Sequence, residues 1–318
     1  MESSRPHRPN QATMMLEAAW QYYNDGQNQN EIAKYLGLSR STVVNYLAEA
    51  REKGLVKVSL NPAAFQEVTL ARQLRELYGL VDAYVVPRPA GLSDADALRR
   101  VGRVAGEWLP GMLSDGDVLG VSWGETIYEV SLNVKEGFVG DVTVVQLVGS
   151  LATPLVFAAE TCSSNIAQRL SAHYVNLPVP AYLSNVELAR QLRAEHHVAT
   201  QLDVIKRCNK TLFAAGTCTP DSHIVKVGVV TEMQLHKLLD KGAAAVICGQ
   251  FIDKDGNPLE TEVRQRMICV DLEDMRNKDA GFLVAVGEAR VAPIKAVIKG
   301  GFATHLLTCA RTAELLLQ

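Results

Sequence analysis

The sequence lacks the usual marks of a membrane, secreted or metal-binding protein. No stretch approaches the roughly 18 uninterrupted apolar residues of a transmembrane helix, and the polar, proline-broken start MESSRPHRPN has no apolar signal-peptide core. The six cysteines are scattered without a CxxC pair, so neither a zinc site nor a disulfide framework is indicated. We therefore expect a cytoplasmic protein that needs no metal or cofactor.

Common catalytic signatures and a strong charge imbalance are also missing. The chain contains no Gly-x-Ser-x-Gly elbow, no P-loop and no HExxH motif. Its formal net charge is only −3, so charge alone does not indicate a nucleic-acid partner. The length of 318 residues suits two domains. Function must therefore be inferred from local patterns.

Residues 27–57 form the most informative segment. Ile32, Ala33 and Leu36 recur at helical spacing, which predicts a short amphipathic helix. Gly37 permits the left-handed backbone that ends a helix, and Ser39 is a good cap for the next one. Two short helices joined in this way are typical of a helix-turn-helix, whose second helix lies in the major groove of DNA.

The second helix of this motif has an apolar and a polar face. The residues of its apolar face are Val43, Val44, Leu47 and Ala50. They are expected to pack against an upstream helix that contributes Met14, Met15, Ala18, Ala19 and Tyr22. The side chains expected to contact DNA are Gln29, Asn30, Arg40, Ser41, Thr42, Asn45 and Tyr46. Leu55–Val58 predicts a short strand after Gly54, which would make a winged helix-turn-helix.

After Asn61-Pro62 the pattern changes to short apolar segments that alternate with helical ones. The predicted strands are Ala83–Val86, Val118–Val121, Val142–Leu147, Thr211–Ala215, Ala244–Ile247, Met267–Val270, Phe282–Val286 and His305–Leu307. The predicted helices are Val68–Tyr78, Asp94–Leu109, Thr126–Leu132, Glu160–Ala172, Glu187–Arg193, Thr231–Lys241 and Ala292–Lys299. This alternation indicates a Rossmann-like α/β domain with a mainly parallel sheet covered on both faces.

Four glycine-containing loops follow predicted strands, at residues 120–126, 149–150, 216–222 and 287–290. In parallel sheets, ligands bind at the carboxyl ends of the strands, where such loops gather. Ser122 and Thr126 add hydroxyls near a helix start, which is a favourable place for an anion. Arg290 adds a guanidinium that can pair with a phosphate. Together the loops favour a cleft for a polar ligand.

The helix-turn-helix, GVSWGET at 120–126, the Gly-Ser pair at 149–150, ICGQFIDKDG at 247–256 and a late Gly-Gly together resemble the SorC-type sugar-responsive transcriptional regulators. The resemblance covers essentially the whole chain. It implies a DNA-binding domain over residues 1–60 and an effector-binding and oligomerisation domain over 61–318, similar to sugar-phosphate isomerases and deaminases.

The same resemblance implies the partners and the site. A small sugar, polyol or phosphosugar would be the effector, and a homodimer or homotetramer would bind near-palindromic double-stranded operator DNA. The expected effector-binding residues are Ser122, Trp123, Gly124, Glu125, Thr126, Gly149, Ser150, Gly216, Gln250, Asp253 and Arg290.

The chain departs from the family pattern at three acidic positions. Val246 stands where the family usually has aspartate, and Cys309 and Ala310 replace two late acids. Carboxylates suit sugar hydroxyls because each accepts several hydrogen bonds. A smaller or less hydroxylated effector would account for the change, and so would a pocket that lies elsewhere.

The alternative hypothesis is a sugar-phosphate isomerase or deaminase-like enzyme with an accessory DNA-binding module. Its acid/base candidates are Asp221 with His223, or Glu160. Four further histidines, His196, His197, His236 and His305, fit a solvated helix face or the core. With the three acids also missing, we expect no catalytic residues and no enzymatic activity.

Overall fold

The N-terminal unit is built from three helices in its described part. The computed structural model describes residues 10–57, 67–151 and 157–318, and the chain divides into two compact units, Met1–Leu60 and Asn61–Gln318. The first unit contains α1 (Gln11–Tyr23), α2 (Gln29–Leu36) and α3 (Arg40–Glu52). Its core is formed by Met15, Ala18, Ala19, Ile32, Ala33, Val43, Leu47 and Ala50.

The turn between α2 and α3 forms as the sequence predicts. Gly37 ends α2 with a left-handed backbone (φ 65°). Ser39 caps α3, since its Oγ accepts a hydrogen bond from the amide of Thr42 at 3.1 Å. At the start of α2, Asn28 and Glu31 form a reciprocal capping box. The helix-turn-helix is therefore fixed by local side-chain chemistry as well as by its core.

Three predictions for this unit are wrong. Val44 is 41% exposed and Tyr22 is 37% exposed, so neither belongs to the core. The inward positions of α3 are 43, 47 and 50, and residue 44 is turned away from them. Residues 55–57 form no strand, because the amides of Leu55 and Val56 turn back to the Ala50 carbonyl and close the end of α3. Residue 58, the last of the predicted wing strand, lies outside the described residues.

The second unit alternates strands and helices. The strands are β1 (Asp82–Val86), β2 (Val118–Val121), β3 (Thr143–Gln146), β4 (His173–Val175), β5 (Lys210–Phe213), β6 (Ala243–Ile247), β7 (Gln250–Asp253), β8 (Ala280–Val284) and β9 (His305–Cys309). The helices are α4 (Val68–Tyr78), α5 (Asp94–Trp108), α6 (Glu125–Asn133), α7 (Ala159–Leu170), α8 (Val186–Ala194), α9 (His196–Lys206), α10 (His223–Lys226), α11 (Glu232–Asp240), α12 (Glu262–Arg266), α13 (Val291–Lys299) and α14 (Ala310–Leu316).

Seven strands form one parallel sheet in the order β1-β9-β8-β5-β2-β3-β4. From the centre, β3 and β4 continue on one side of β2, while β8 and β9 continue on the other side of β5. The strand order therefore reverses between β2 and β5, which is where α/β sheets usually bind ligands. The mixed α/β fold with a mainly parallel sheet is confirmed.

Apolar side chains cover both faces of this sheet. Along β1, Ala83 and Val85 pack into one buried cluster, while Tyr84 and Val86 pack into the other. Successive side chains of a strand point to opposite faces, so this alternation places a hydrophobic layer on each side. Helices supply the rest of both layers, and the polar groups needed for a binding site are left to the loops at the strand ends.

The predicted helices of this unit are all present, with ends shifted by at most two residues. The strand predictions contain errors. The predicted strand Met267–Val270 is wrong, because Met267 and Cys269 form only isolated bridges with Tyr182 and Val148. The sequence did not predict β4 and β7. The latter pairs antiparallel with β6 in a separate two-stranded sheet.

Candidate functional site

A cavity of about 460 Å³ opens at the carboxyl ends of β2, β5 and β8. This volume suits a small molecule, since ligand pockets usually measure about 300–1,000 Å³. Residues 122–126 line one side of the cavity. The second side is lined by Gly216, Thr217, Thr219 and residues 221–224, and the third by Val286, Gly287, Ala289 and Arg290. The structure thus brings together seven of the residues expected from the sequence, namely Ser122, Trp123, Gly124, Glu125, Thr126, Gly216 and Arg290.

The loop after β2 presents unpaired hydrogen-bond donors to the cavity. Gly124 has φ 104° and ψ 170°, a backbone conformation that residues other than glycine rarely adopt. It precedes α6, and no side chain caps the start of this helix in the described structure. The amides of residues 125–127 therefore meet no hydrogen-bond acceptor in the described part of the chain. Ser122 and Thr126 are each only 2% exposed, and their hydroxyls have no hydrogen-bond partner among the described residues. Such a group of donors suits an anion or a cluster of hydroxyls.

The loop after β8 repeats this backbone geometry. Gly287 has φ 113° and ψ 152°, and its amide donates to Thr312 Oγ1 at 2.9 Å. Three residues later, Arg290 Nη1 donates to the Ala215 carbonyl at 2.5 Å, which fixes the guanidinium at the cavity. Burial lowers the pKa of Arg290, while the charges of Glu125 and Asp94 act in the opposite direction. The guanidinium remains a cation, because arginine is not deprotonated in proteins.

An aromatic wall completes the cavity. The His223 ring lies 4.7 Å from the Trp123 ring and 5.1 Å from the Phe157 ring, measured between centroids. Burial, followed by the positive charges of Lys226 and Arg290, lowers the pKa of His223 to about 4. The imidazole is therefore neutral near pH 7. Its Nε2 and the neighbouring Ser222 Oγ are buried without hydrogen-bond partners in the described structure.

The sequence assigned His223 only to a hypothetical acid/base pair and missed several lining residues. Asp221 is exposed, a hydrogen bond from Thr219 lowers its pKa, and no hydrogen bond joins it to His223 in the described structure. The missed lining residues with polar or aromatic side chains include Asp94, Phe157, Thr217, Thr219, Ser222 and Lys226. The hydroxyl-rich loop at 216–222 was the available signal for some of these. No local sequence pattern identifies Asp94 as a lining residue, since it lies at the start of α5 and not in a strand-end loop.

Four expected effector residues lie outside the described lining of this cavity. Gly149 and Ser150 are used for backbone pairing, with amide hydrogen bonds to Ile268 O and Val179 O. A Cβ on Gly149 would lie 2.5 Å from the Val179 carbonyl oxygen, so this glycine permits close packing. Close packing against Val179 therefore explains why a glycine stands at position 149 of this pair.

Gln250 and Asp253 belong to the hairpin formed by β6 and β7. Gln250 donates through Nε2 to the Val270 carbonyl at 2.9 Å and borders a different space of about 550 Å³. Asp253 Oδ1 accepts from the amides of Asp255 and Asn257, both at 2.8 Å, and so stabilises the turn. By contrast, Val246 of the same hairpin does line the main cavity, where the family usually has a carboxylate.

Glu160 and the four further histidines considered as acid/base candidates or core residues are not among the described residues that line the cavity. His196, His197 and His236 are exposed, as the sequence predicts. His305 is buried and shares a 2.8 Å hydrogen bond with Thr304, so it is a satisfied core residue as predicted. Glu160 Oε2 is buried without a partner in the described structure. None of these residues forms an acid/base pair with a neighbour within the described structure.

The depressed pKa of His223 predicts a contribution to pH-dependent stability. Below pH 6.5 the unfolded chain binds a proton at His223, whereas the folded chain binds it only near pH 4, because the pKa of His223 is lowered in the folded state. The free energy of unfolding therefore decreases as the pH falls from about 6.5 to about 4. His223→Asn should reduce this loss by about 1–2 kcal/mol, because solvent screening of the partly exposed ring lowers the contribution that the pKa shift alone would give. Urea unfolding at pH 7 and pH 4 measures the difference. His236→Asn is the control, since His236 is exposed; equal pH dependence in both variants would contradict the prediction.

The outer surface of α3 is the candidate DNA interface. Arg40, Ser41 and Asn45 are exposed, while Thr42 and Tyr46 are half-buried. From α2, Asn30 is exposed, and Gln29 Oε1 accepts a hydrogen bond from Arg40 Nε at 3.3 Å. Arg40, Ser41 and Thr42 therefore lie in the first turn of α3, where base contacts concentrate in helix-turn-helix proteins. Asn45 and Tyr46 lie in its second turn, and Tyr46 also packs against the core of the unit.

No described helix is long and apolar enough to cross a membrane. Among the described residues, no group of histidine, cysteine, aspartate and glutamate side chains is arranged to hold a metal ion.

A helix-turn-helix unit joined to an α/β unit with a polar strand-end cavity defines a ligand-responsive transcriptional regulator. Residues 63–318 match the family described as "Putative sugar-binding domain". The chain is 36% identical over 307 residues to the uncharacterized transcriptional regulator YjhU of Escherichia coli K12, covering 95% of this chain and 94% of that protein. The chain belongs to this family, the SorC-type transcriptional regulators.

Two other similarities extend the comparison. The deoxyribonucleoside regulator of Bacillus subtilis strain 168 is 32% identical over 307 residues, covering 96% of this chain and 97% of its own length. The crystal structure of the full-length sorbitol operon regulator SorC from Klebsiella pneumoniae superposes with a TM-score of 0.78 at 24% identity. That match covers 98% of this chain and all of the SorC chain, and it shows the shared fold.

Proposed function

We propose that this chain represses or activates a carbohydrate or polyol catabolic operon in the cytoplasm, and that a small sugar, polyol or sugar-phosphate effector controls its DNA binding. The observation that carries the proposal is the cavity at the β2/β5 reversal, in a chain that also has a helix-turn-helix. The cavity contains Arg290 together with amides and two hydroxyls that have no hydrogen-bond partner among the described residues. The relatives of this chain include a sorbitol operon regulator and a deoxyribonucleoside regulator, which supports the effector class.

The cavity suggests how the effector is held. The amides at the start of α6, with Ser122 and Thr126, are donors for a phosphate, a carboxylate or several hydroxyls. Arg290 adds a positive charge on the opposite loop. The rings of Trp123 and Phe157 offer an apolar surface for the C–H face of a sugar, while neutral His223 can pair with a hydroxyl. An effector of this kind needs no catalytic group.

DNA control follows from differential binding. An effector changes operator affinity only if it binds one arrangement of the protein better than another, because equal affinity shifts nothing. We propose a homodimer or homotetramer, in which paired α3 helices read a near-palindromic operator with half-sites one helical turn or a multiple apart. The effector then changes how well the two helices match these half-sites.

The full-length chain tests the proposal directly. Duplexes selected from a random DNA pool should converge on a near-palindromic sequence, and a panel of sugars, polyols and their phosphates should contain a compound that raises the melting temperature by mass action. That compound should also change operator affinity. Failure to select any sequence would overturn the DNA-binding role. Turnover of a panel compound would favour the enzyme hypothesis instead.

Asn45→Ala should reduce operator affinity roughly 10-fold while leaving affinity for random DNA nearly unchanged. An exposed asparagine on a recognition helix can pair with two groups of an adenine, and such a pair contributes about 1–3 kcal/mol of discrimination. Fluorescence anisotropy with both duplexes measures the ratio. Lys53→Ala is a control from the end of the same helix, where Lys53 pairs with Glu49. An equal loss on both duplexes would make Asn45 a phosphate contact.

A further inference from the structure

Val44 is an exposed apolar residue that the folding of the N-terminal unit does not explain. It is 41% exposed on α3, whose buried positions are Val43, Leu47 and Ala50. Valine is also a poorer helix former than alanine, by roughly half a kcal/mol, because its branched side chain loses rotamer freedom. Neither core packing nor helix propensity therefore favours valine at this position.

The polar neighbours of Val44 are partly engaged within the protein. The hydroxyls of Ser41 and Thr42 each lie 2.8 Å from Ser39 Oγ, at the cap of α3. Arg40 Nε is held by Gln29. These contacts fix the start of the helix and occupy part of the hydrogen-bonding capacity of those groups.

Val44 and Asn45 differ from these neighbours because both are exposed and neither takes part in the cap of α3. Residues 41, 44 and 45 lie on one face of α3, because positions three and four apart are neighbours on a helix. Asn45 is exposed, and its side chain makes no hydrogen bond within the described residues. The middle of the candidate DNA-reading face therefore presents one free carboxamide beside one exposed isopropyl group.

We propose that Val44 contacts the C5-methyl group of a thymine in each operator half-site and so determines specificity beside Asn45. The inference rests on the proposed DNA-binding function. Among the groups that bases present in the major groove, the thymine methyl is the apolar one, and apolar side chains recognise it. The other bases offer polar edges at that site, which an isopropyl group cannot satisfy.

Deoxyuridine substitution tests this contact, because it removes the thymine methyl and leaves base pairing intact. Using full-length protein and the operator selected as above, each thymine is replaced in turn and the Kd is measured. We expect one position per half-site to weaken wild-type binding roughly 3- to 5-fold, the effect of one buried methyl group. In Val44→Ala, whose shorter side chain reaches less far toward the methyl group, the same replacement should cause a clearly smaller loss. In Ser41→Ala, a neighbour on the same face, the loss should persist.

The outcomes separate this inference from the proposed function. If no sequence is selected from the pool, the DNA-binding function itself is overturned. If an operator is selected but no uracil weakens binding, or if Val44→Ala keeps the full uracil effect, the operator role stands and the Val44 contact is overturned. The wild-type uracil scan does not depend on the folding of any variant. The Kd values of Val44→Ala and the wild type can be compared if the two proteins have equal melting temperatures, since both are then folded.

Discussion

Replacing Arg290 by alanine is expected to raise the effector concentration needed to change operator binding by roughly 100-fold. Hydrogen bonds to charged groups contribute about 1.5–3 kcal/mol, and the guanidinium is a fixed cation of the cavity, anchored on the Ala215 carbonyl. Operator affinity without effector should not change, because Arg290 belongs to the α/β unit and not to the helix-turn-helix. Titration of the active panel compound against the protein–operator complex measures both quantities.

Glu288 provides a matched control for this experiment. It lies in the same short 3-10 turn as Arg290, but it is exposed and does not border the cavity. Glu288→Ala should therefore respond to the effector like the wild type. A normal response in Arg290→Ala would mean that the effector binds elsewhere, and the space beside Gln250 would be the next place to test.

Ile32→Ala is expected to abolish operator binding while leaving effector binding intact. Ile32 is fully buried in a core that has eight buried apolar residues in the described part of the unit. Removing such a side chain costs about 2–5 kcal/mol, whereas a core of this size rarely supplies more than about 3–5 kcal/mol of stability. The N-terminal unit should therefore be largely unfolded, and operator affinity should fall more than roughly 100-fold. Calorimetry should show the loss of one transition and the retention of the other.

Tyr35 lies on the same helix as Ile32 and is 71% exposed, so Tyr35→Ala tests whether any change in α2 has this effect. It should leave both transitions in place, since surface substitutions usually change stability by less than about 0.5 kcal/mol. If Ile32→Ala bound the operator normally, the helix-turn-helix would not depend on this core for its recognition surface.

Local chemistry explains the features that the sequence predicted well. Gly37 and Ser39 define the turn before α3 through backbone conformation and capping, and both effects act within a few residues. The glycines at 124 and 287 likewise mark strand-to-helix turns by their own dihedral angles. Such signals can be read from a short window, whatever the rest of the chain does.

The errors have a different origin, since they depend on contacts between distant residues. Gly149 resembles the other strand-end glycines in sequence, but the nearby Val179 carbonyl determines its role. Asp253 ends β7, which pairs with β6 in a separate hairpin, and no local sequence pattern distinguishes such a strand from one of the main sheet. Val44 adjoins a core residue, and apolar character alone cannot distinguish an inward side chain from one exposed on the neighbouring face.

The two glycines beside the cavity also limit how this protein can acquire new ligands. A side chain at Gly124 or Gly287 would be strained by the backbone itself, whatever space surrounds it. Mutation therefore cannot easily reshape the parts of the cavity formed by these loop backbones. Positions such as Val246, Thr217 and Lys226 border the same cavity without this restriction. Divergence toward a different effector should accumulate at those positions, while the turns at 124 and 287 remain unchanged across the lineage.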